Sequence, residues 1–219
     1  MNNPMECRFI DPKNYGWIEL PLNEGCVEYI WKCVDEGVKR NVNAKGTLIG
    51  QIDKAYAIED TDGLLMSQVL RPLAKEYAYR WGDGHTRMPC KRDYDYVLDG
   101  FWVNYQNQHE YQPIHDHGGV YSFAAWLKIP TNYEDQALLD NAKDAGSSWN
   151  SSFIFQYTST FGDHETYMYK LDPSWENTLL FFPSKLKHAV YPYFQCDEQR
   201  ISISGNLWLQ PKHENEQSN

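Results

Sequence analysis

The spacing of apolar residues along this chain changes character near residue 96. Upstream, Val27, Ile30, Trp31, Val34 and Val38 recur at helical intervals behind Asn23, a residue suited to capping a helix. Leu65, Val69, Leu73, Tyr77 and Trp81 predict a second helix, and Pro72 inside it should kink or split it. Between them, residues 46–58 read as extended and end in an acidic turn at 59–62. Residues 82–95 are polar, with glycine, proline and charge, and read as a loop.

Downstream the period is two. Strands are predicted at 102–105, 121–129 (closed by Pro130), 152–158, 165–171, 177–182 and 200–209. The last alternates cleanly: Arg200, Ser202, Ser204, Asn206 and Trp208 fall on one face, Ile201, Ile203, Leu207 and Leu209 on the other. Residues 131–149 form a long polar loop, with a short helix predicted near 136–143; connections of this length are uncommon and often functional. Many short strands behind a helical preface predict a mainly β fold with N-terminal helices (α+β): a double-stranded β-helix, or cupin-like jelly roll. The chain divides into a preface over 1–95, a β core over 96–210 and a polar tail from 211, within one domain overall.

Composition narrows this picture. A chain of 219 residues is long enough for one domain with a sizeable core. Aromatics at 15 %, with 16 Tyr and 8 Trp, favour β architecture. A formal net charge of −10 argues against broad phosphate-backbone binding, so nucleic acid is not the expected partner. The opening residues lack the basic region and apolar run of a signal peptide, and no apolar run is long enough to span a membrane. Cysteines 7, 26, 33, 90 and 196 are odd in number, scattered and without a Cys-x-x-Cys pair, which fits a reducing cytoplasm.

The chemistry concentrates at His115-Asp116-His117. On a strand, residues two apart share a face, so His115 and His117 can converge on one ion while Asp116 points away. Imidazole suits iron, zinc, copper and nickel. Gly118 and Gly119 follow, and they let the backbone turn closely. His188 supplies a third imidazole in a strongly apolar context. Arg200 and Ser202 share a strand face; a guanidinium meets a carboxylate through two parallel hydrogen bonds, whereas the bland alternative is an edge ion pair with Asp197 or Glu198. Tyr105 could add a phenol donor or belong to the core. Lys128 could line the site or be solvated, and Glu110 is a poor ligand candidate. His85, His109, His164 and His213 carry no assigned role. The chain shows no glycine-rich phosphate loop, serine elbow or Cys/His nucleophile arrangement.

The run Pro113-Ile114-His115-Asp116-His117-Gly118-Gly119-Val120-Tyr121-Ser122-Phe123 resembles the first metal motif of Fe(II)/2-oxoglutarate-dependent oxygenases. The segment Phe182-Pro183-Ser184 through Leu186, His188, Val190 and Pro192, followed by Arg200, Ser202, Ser204 and Asn206, resembles their second half. The similarity spans roughly residues 96–209 and extends to small oxygenases of tailed phages, including those of marine cyanobacteria. It implies iron at one end of a double-stranded β-helix, held by His115 and His188. It implies that 2-oxoglutarate chelates the iron while its far carboxylate meets Arg200 and Ser202, with Tyr105 a candidate beside them. It also implies that O2 converts 2-oxoglutarate to succinate and carbon dioxide as a C–H bond is hydroxylated.

The third ligand departs from the family pattern, which is His-x-Asp or His-x-Glu. Here alternation favours His117, and a bulge at the following glycines would bring in Asp116 instead. The reading is a dioxygenase using Fe(II), 2-oxoglutarate and O2, with no catalytic side chain beyond the metal site and a prolyl or other peptide side chain as first substrate class. The competing class is a non-enzymatic cupin-like metal-binding or structural protein, told apart by succinate formation. A zinc hydrolase would need a general base, and only Asp116 or Glu110 offers one.

Overall fold

A computed structural model describes residues 14–82 and 93–212. Most of the loop expected over 82–95 and most of the tail, with His85, His213, Cys7 and Cys90, lie outside the described residues.

Two antiparallel sheets face each other, and helices cover the outer side of the larger one. After a short strand, β1 (Ile18–Pro21), the first helix α1 (Glu24–Arg40) starts where expected, with the Asn23 side chain accepting from the Cys26 amide. Residues 46–58 are extended only at their end, as β2 (Lys54–Ala57). The second helix is split at its proline. A π turn, Met66–Leu70, runs into α2 (Arg71–Trp81), and Pro72 sits in the first turn of α2. The Arg71 amide reaches Met66 O, so the register widens just where proline has no N–H to give.

The β core follows as β3 (Tyr94–Gln106), β4 (Gln112–His115), β5 (Tyr121–Lys128), β6 (Ser152–Thr158), β7 (His164–Lys170), β8 (Thr178–Pro183), β9 (Lys187–Val190) and β10 (Arg200–Pro211). The large sheet has the order β1-β8-β5-β10-β3-β2, the small one β4-β9-β6-β7. Both N-terminal strands thus close the edges of the large sheet. The short helix α3 (Tyr133–Ala137) starts three residues earlier than predicted. Asn132 caps it by accepting from the Glu134 amide, and it buries Tyr133 and Gln136.

Alternation sorts the large sheet into two faces. Phe101, Val103, Phe123, Ala125, Ile203 and Leu207 pack against the helices through Ile30, Val34, Leu70, Leu73 and Tyr77. On the opposite face, Ala124, Trp126, Leu180 and Phe182 meet Phe153, Phe155 and Tyr169 of the small sheet. This second layer, between the sheets, holds the histidines.

Candidate metal centre

His115 ends β4 and pairs across to His188 on β9, which in turn lies opposite Phe155 of β6. Both rings point between the sheets and are buried. His117 lies just past the end of β4. Its amide donates to Ser184 O at 2.9 Å, while Ser184 N donates to Val120 O, so the chain after β4 is tied to the β8–β9 turn. Two glycines let that segment fit. A Cβ on Gly118 would stand 2.8 Å from the Trp208 ring, and Gly119, at φ +88, would bring one within 2.6 Å of Leu207 O.

One ring nitrogen from each of His115, His117 and His188 lies within 4.8 Å of the others, the one such metal-compatible cluster among the described residues. His117 Nε2 is 3.0 Å from His188 Nε2. His115 Nδ1 is 2.7 Å from Pro113 O, and His188 Nδ1 is 2.9 Å from Leu186 O. A carbonyl only accepts, so these Nδ1 atoms carry the proton and Nε2 keeps the lone pair. Burial pushes all three imidazoles toward the neutral form: His117 down to about 4, with His115 as second cause, His188 well below its ordinary value, and His115 lower as well. Neutral imidazole is the ligating form.

Asp116 points elsewhere. Its carboxylate bonds Lys187, and Lys185 at 3.2 Å, and these ammonium groups hold it below the usual carboxylate range.

The cavity beside the histidines is lined by Trp102, Gln112, Trp126, Phe153, Ser202 and Ser204, among others. Ser202 and Ser204 lie on the face of β10 that also bears Arg200, and on the paired strand Arg200, Ser202 and Ser204 stand opposite Gln106, Asn104 and Trp102 of β3. Arg200 is 1 % exposed. Its Nη2 donates to Ser151 Oγ at 2.9 Å, and its Nη1 makes two long contacts at 3.4 Å, with Gln106 Oε1 and Tyr191 O. Its Nε is buried without a partner. The guanidinium lies over the Tyr193 ring, 4.9 Å from its centroid. Burial lowers its pKa to about 10, which still leaves it charged at neutral pH.

Residues 100–206 match the model of a family described as "Putative 2OG-Fe(II) oxygenase". That match, over just under half of the chain, supports the 2OG-Fe(II) oxygenase superfamily. The chain is thus a dioxygenase, and Fe(II), 2-oxoglutarate and O2 are its cofactors. No curated protein matches it. Among solved structures, a 2OG-Fe(II) oxygenase-family oxidoreductase from Burkholderia pseudomallei is similar at 10 % identity and a TM-score of 0.50, over 88 % of this chain and 84 % of that one. This likeness is one of fold. A Pseudomonas putida prolyl-4-hydroxylase gives 14 % identity and a TM-score of 0.47 over 90 % and 94 % of the two chains. A Trichoplax adhaerens prolyl hydroxylase, solved with a hypoxia inducible factor oxygen degradation domain peptide fragment, gives 15 % and 0.48 over 90 % and 84 %.

The residues of this oxygenase core fit the two groups. Two ligand atoms each about 2.1 Å from a common ion, at a right angle, stand about 3 Å apart, and the His117–His188 pair has that separation. A buried guanidinium with only neutral partners among the described residues, and with an idle N–H, suits an incoming carboxylate.

Of the sequence-predicted residues, the fold brings together His115, His117 and His188, and sets Ser202 in the cavity lining on the strand face that Arg200 shares. It does not bring in Tyr105. That ring lies on the other face of β3, 6.0 Å from the Tyr56 ring and among the residues packed on the helix-side core. Lys128 pairs with Glu198 at 2.6 Å on the surface. Glu110 bonds the Asp53 and Asn107 amides, tying a loop to the end of β3. Gln106, Ser151 and Tyr193 around Arg200 were not singled out by the sequence. Gln106 was accessible to alternation, since it shares a face with Trp102 and Asn104; Ser151 sits at the end of a loop and gives no periodic signal.

Proposed function

We propose that His115, His117 and His188 hold the Fe(II), that Arg200 with Ser202 receives the far carboxylate of 2-oxoglutarate, and that the enzyme hydroxylates a C–H bond. The carrying observation is one cavity between the sheets, bounded at one side by three buried or half-buried imidazoles and walled in part by Ser202 and Ser204 on the strand face that bears Arg200. The proposed substrate is a peptide side chain, prolyl foremost, by analogy with other enzymes of this fold. Residues 96–210 are read as the catalytic core and 1–95 as a preface packed on it.

Bound Fe(II) with 2-oxoglutarate and O2 supplies an oxidant able to take hydrogen from an unactivated C–H bond, with succinate and carbon dioxide as the other products. The protein's part is orientation. Pro113 O and Leu186 O keep the protons of His115 and His188 on Nδ1, so that both Nε2 lone pairs face the cavity. Ala124, Trp126, Phe153 and Val190 make its surroundings apolar and limit water there. Arg200 fixes the cosubstrate's orientation from the side. His117 is favoured over Asp116 as third ligand because the acid is committed to two lysines.

No helix of the described residues is long and apolar enough to cross a membrane. Cys26, Cys33 and Cys196 are free, in keeping with the proposed cytoplasmic setting, that of a host cell if the phage resemblance reflects origin.

The test is turnover. Protein loaded with Fe(II) and supplied with ascorbate and 2-oxoglutarate should release succinate above an iron-free control, and proline-containing peptides should increase the yield. An iron-replete protein that neither forms succinate nor binds 2-oxoglutarate would overturn the reading in favour of a non-enzymatic metal-binding protein.

A further inference from the structure

Ser151 has a backbone that serine rarely adopts. Its φ is +52, in the left-handed region, yet the residue is not glycine and is completely buried. Non-glycine residues held this way persist where the surroundings over-determine them, and such outliers cluster at functional sites. Here the backbone is fixed at both ends: Ser151 N donates to Pro192 O at 2.8 Å, and Leu171 N donates to Ser151 O at 3.0 Å. Glycine would adopt this φ without cost, so the reason for serine lies in its hydroxyl.

That hydroxyl sits at a junction. Its oxygen accepts from Arg200 Nη2 at 2.9 Å, the shortest contact of the guanidinium. It stands 2.9 Å from Thr131 Oγ1, and it is 3.3 Å from Leu171 O, which can take its proton. Thr131 opens the long polar connection after β5 and Ser151 closes it. The two hydroxyls therefore pin the neck of that loop against the Arg200 guanidinium. The guanidinium lies over Tyr193 and is held at Nη2 by Ser151, which leaves Nε without a partner and Nη1 with two long contacts.

We propose that Ser151 is a positioning residue that sets how far Arg200 reaches into the pocket, and so fixes the length of dicarboxylate the enzyme accepts. This rests on Arg200 being the anchor for the far carboxylate. With the hydroxyl present, the guanidinium stays forward and suits the five-carbon 2-oxoglutarate. Without it, Arg200 can settle back into the vacated space, which favours a diacid one methylene longer.

The experiment compares Ser151→Gly, Ser151→Ala and Arg200→Met with the wild-type protein, each loaded with Mn(II). Calorimetry measures the binding of 2-oxoglutarate and of 2-oxoadipate. Ser151→Gly suits the left-handed backbone and should fold. We expect it to bind 2-oxoglutarate about tenfold more weakly, as for loss of a hydrogen bond to a charged group. Its preference should move toward 2-oxoadipate by at least about threefold, with Mn(II) affinity unchanged. Ser151→Ala should show the same change in preference with lower thermal stability than Ser151→Gly, because alanine, unlike glycine, is strained in that backbone conformation. Unchanged affinity and preference in both serine variants, beside an Arg200→Met protein that no longer binds 2-oxoglutarate, would overturn the role of Ser151 alone. An Arg200→Met protein that binds 2-oxoglutarate as the wild type does would overturn the anchor itself.

Discussion

Asp116 and His117 are neighbours in the chain and face opposite ways: the carboxylate of Asp116 is bonded to Lys187, while His117 brings Nε2 to 3.0 Å from His188 Nε2. His117 thus occupies the place where the family pattern has an acid, and the acid that is present serves as a strap between the end of β4 and β9. His117→Ala should lose iron. Asp116→Ala should keep it, with an affinity loss of at most about tenfold. Metal analysis of the two purified variants decides between them; an iron-replete His117→Ala beside an iron-free Asp116→Ala would make the acid the ligand.

Arg200 is buried as a cation, with neutral partners among the described residues. Burial of an unpaired charge costs stability, so Arg200→Met, of similar length and apolar, should leave the unliganded protein as stable as the wild type or more so. The same change should abolish the rise in melting temperature that 2-oxoglutarate gives the metal-loaded protein. Arg200→Lys should keep the charge and lose the fork, weakening 2-oxoglutarate by about 1.5–3 kcal/mol while metal affinity holds. Thermal melts and calorimetry with both variants check each part; a variant with full 2-oxoglutarate affinity would remove Arg200 from the pocket.

The turn that delivers His117 depends on close packing of Gly118 against Trp208. Gly118→Ala should cost about 1–3 kcal/mol by overpacking and should weaken metal binding. Adding Trp208→Ala should recover most of that loss, because the two positions share one contact. A double-mutant cycle by chemical denaturation and metal titration measures the coupling; additive losses would mean that the contact does not govern the turn.

The fold was legible where a pattern ran long enough. The alternation of β10 predicted both faces of the strand that carries Arg200, and helix α1 was legible from its spacing and its Asn23 cap. Strands β1, β4 and β9, of four residues each, are too short for a period to show. The histidines were legible because sharing a face depends only on local alternation and order. The surroundings of Arg200 were not: Ser151 reaches it by loop closure, and Tyr193 by a backbone path between β9 and β10, and neither leaves a local signature. Alternation also decides Tyr105, once Trp102 is known to line the cavity and Asn104 and Gln106 to share its face of β3.

Tyr105 and Gln106 are adjacent on β3 and therefore give opposite expectations. The Tyr105 ring is on the helix side, where burial and the nearby Asp35 raise its pKa and Tyr56 packs edge-on against it. Gln106 is buried on the cavity side; its Oε1 lies 3.4 Å from Arg200 Nη1, and its Nε2 donates to Glu110 O at 2.6 Å. Tyr105→Phe should keep 2-oxoglutarate affinity within about twofold, since the phenol has no path to the pocket through the sheet. Gln106→Leu keeps a similar volume but removes the amide, leaving Glu110 O and one guanidinium N–H without that partner. It should weaken 2-oxoglutarate by about 1–3 kcal/mol, as expected for a buried polar group left unpaired. Titrating both variants with 2-oxoglutarate settles the facing of β3: a Tyr105→Phe protein that loses tenfold beside a Gln106→Leu protein that loses nothing would invert the strand and put Tyr105 in the pocket.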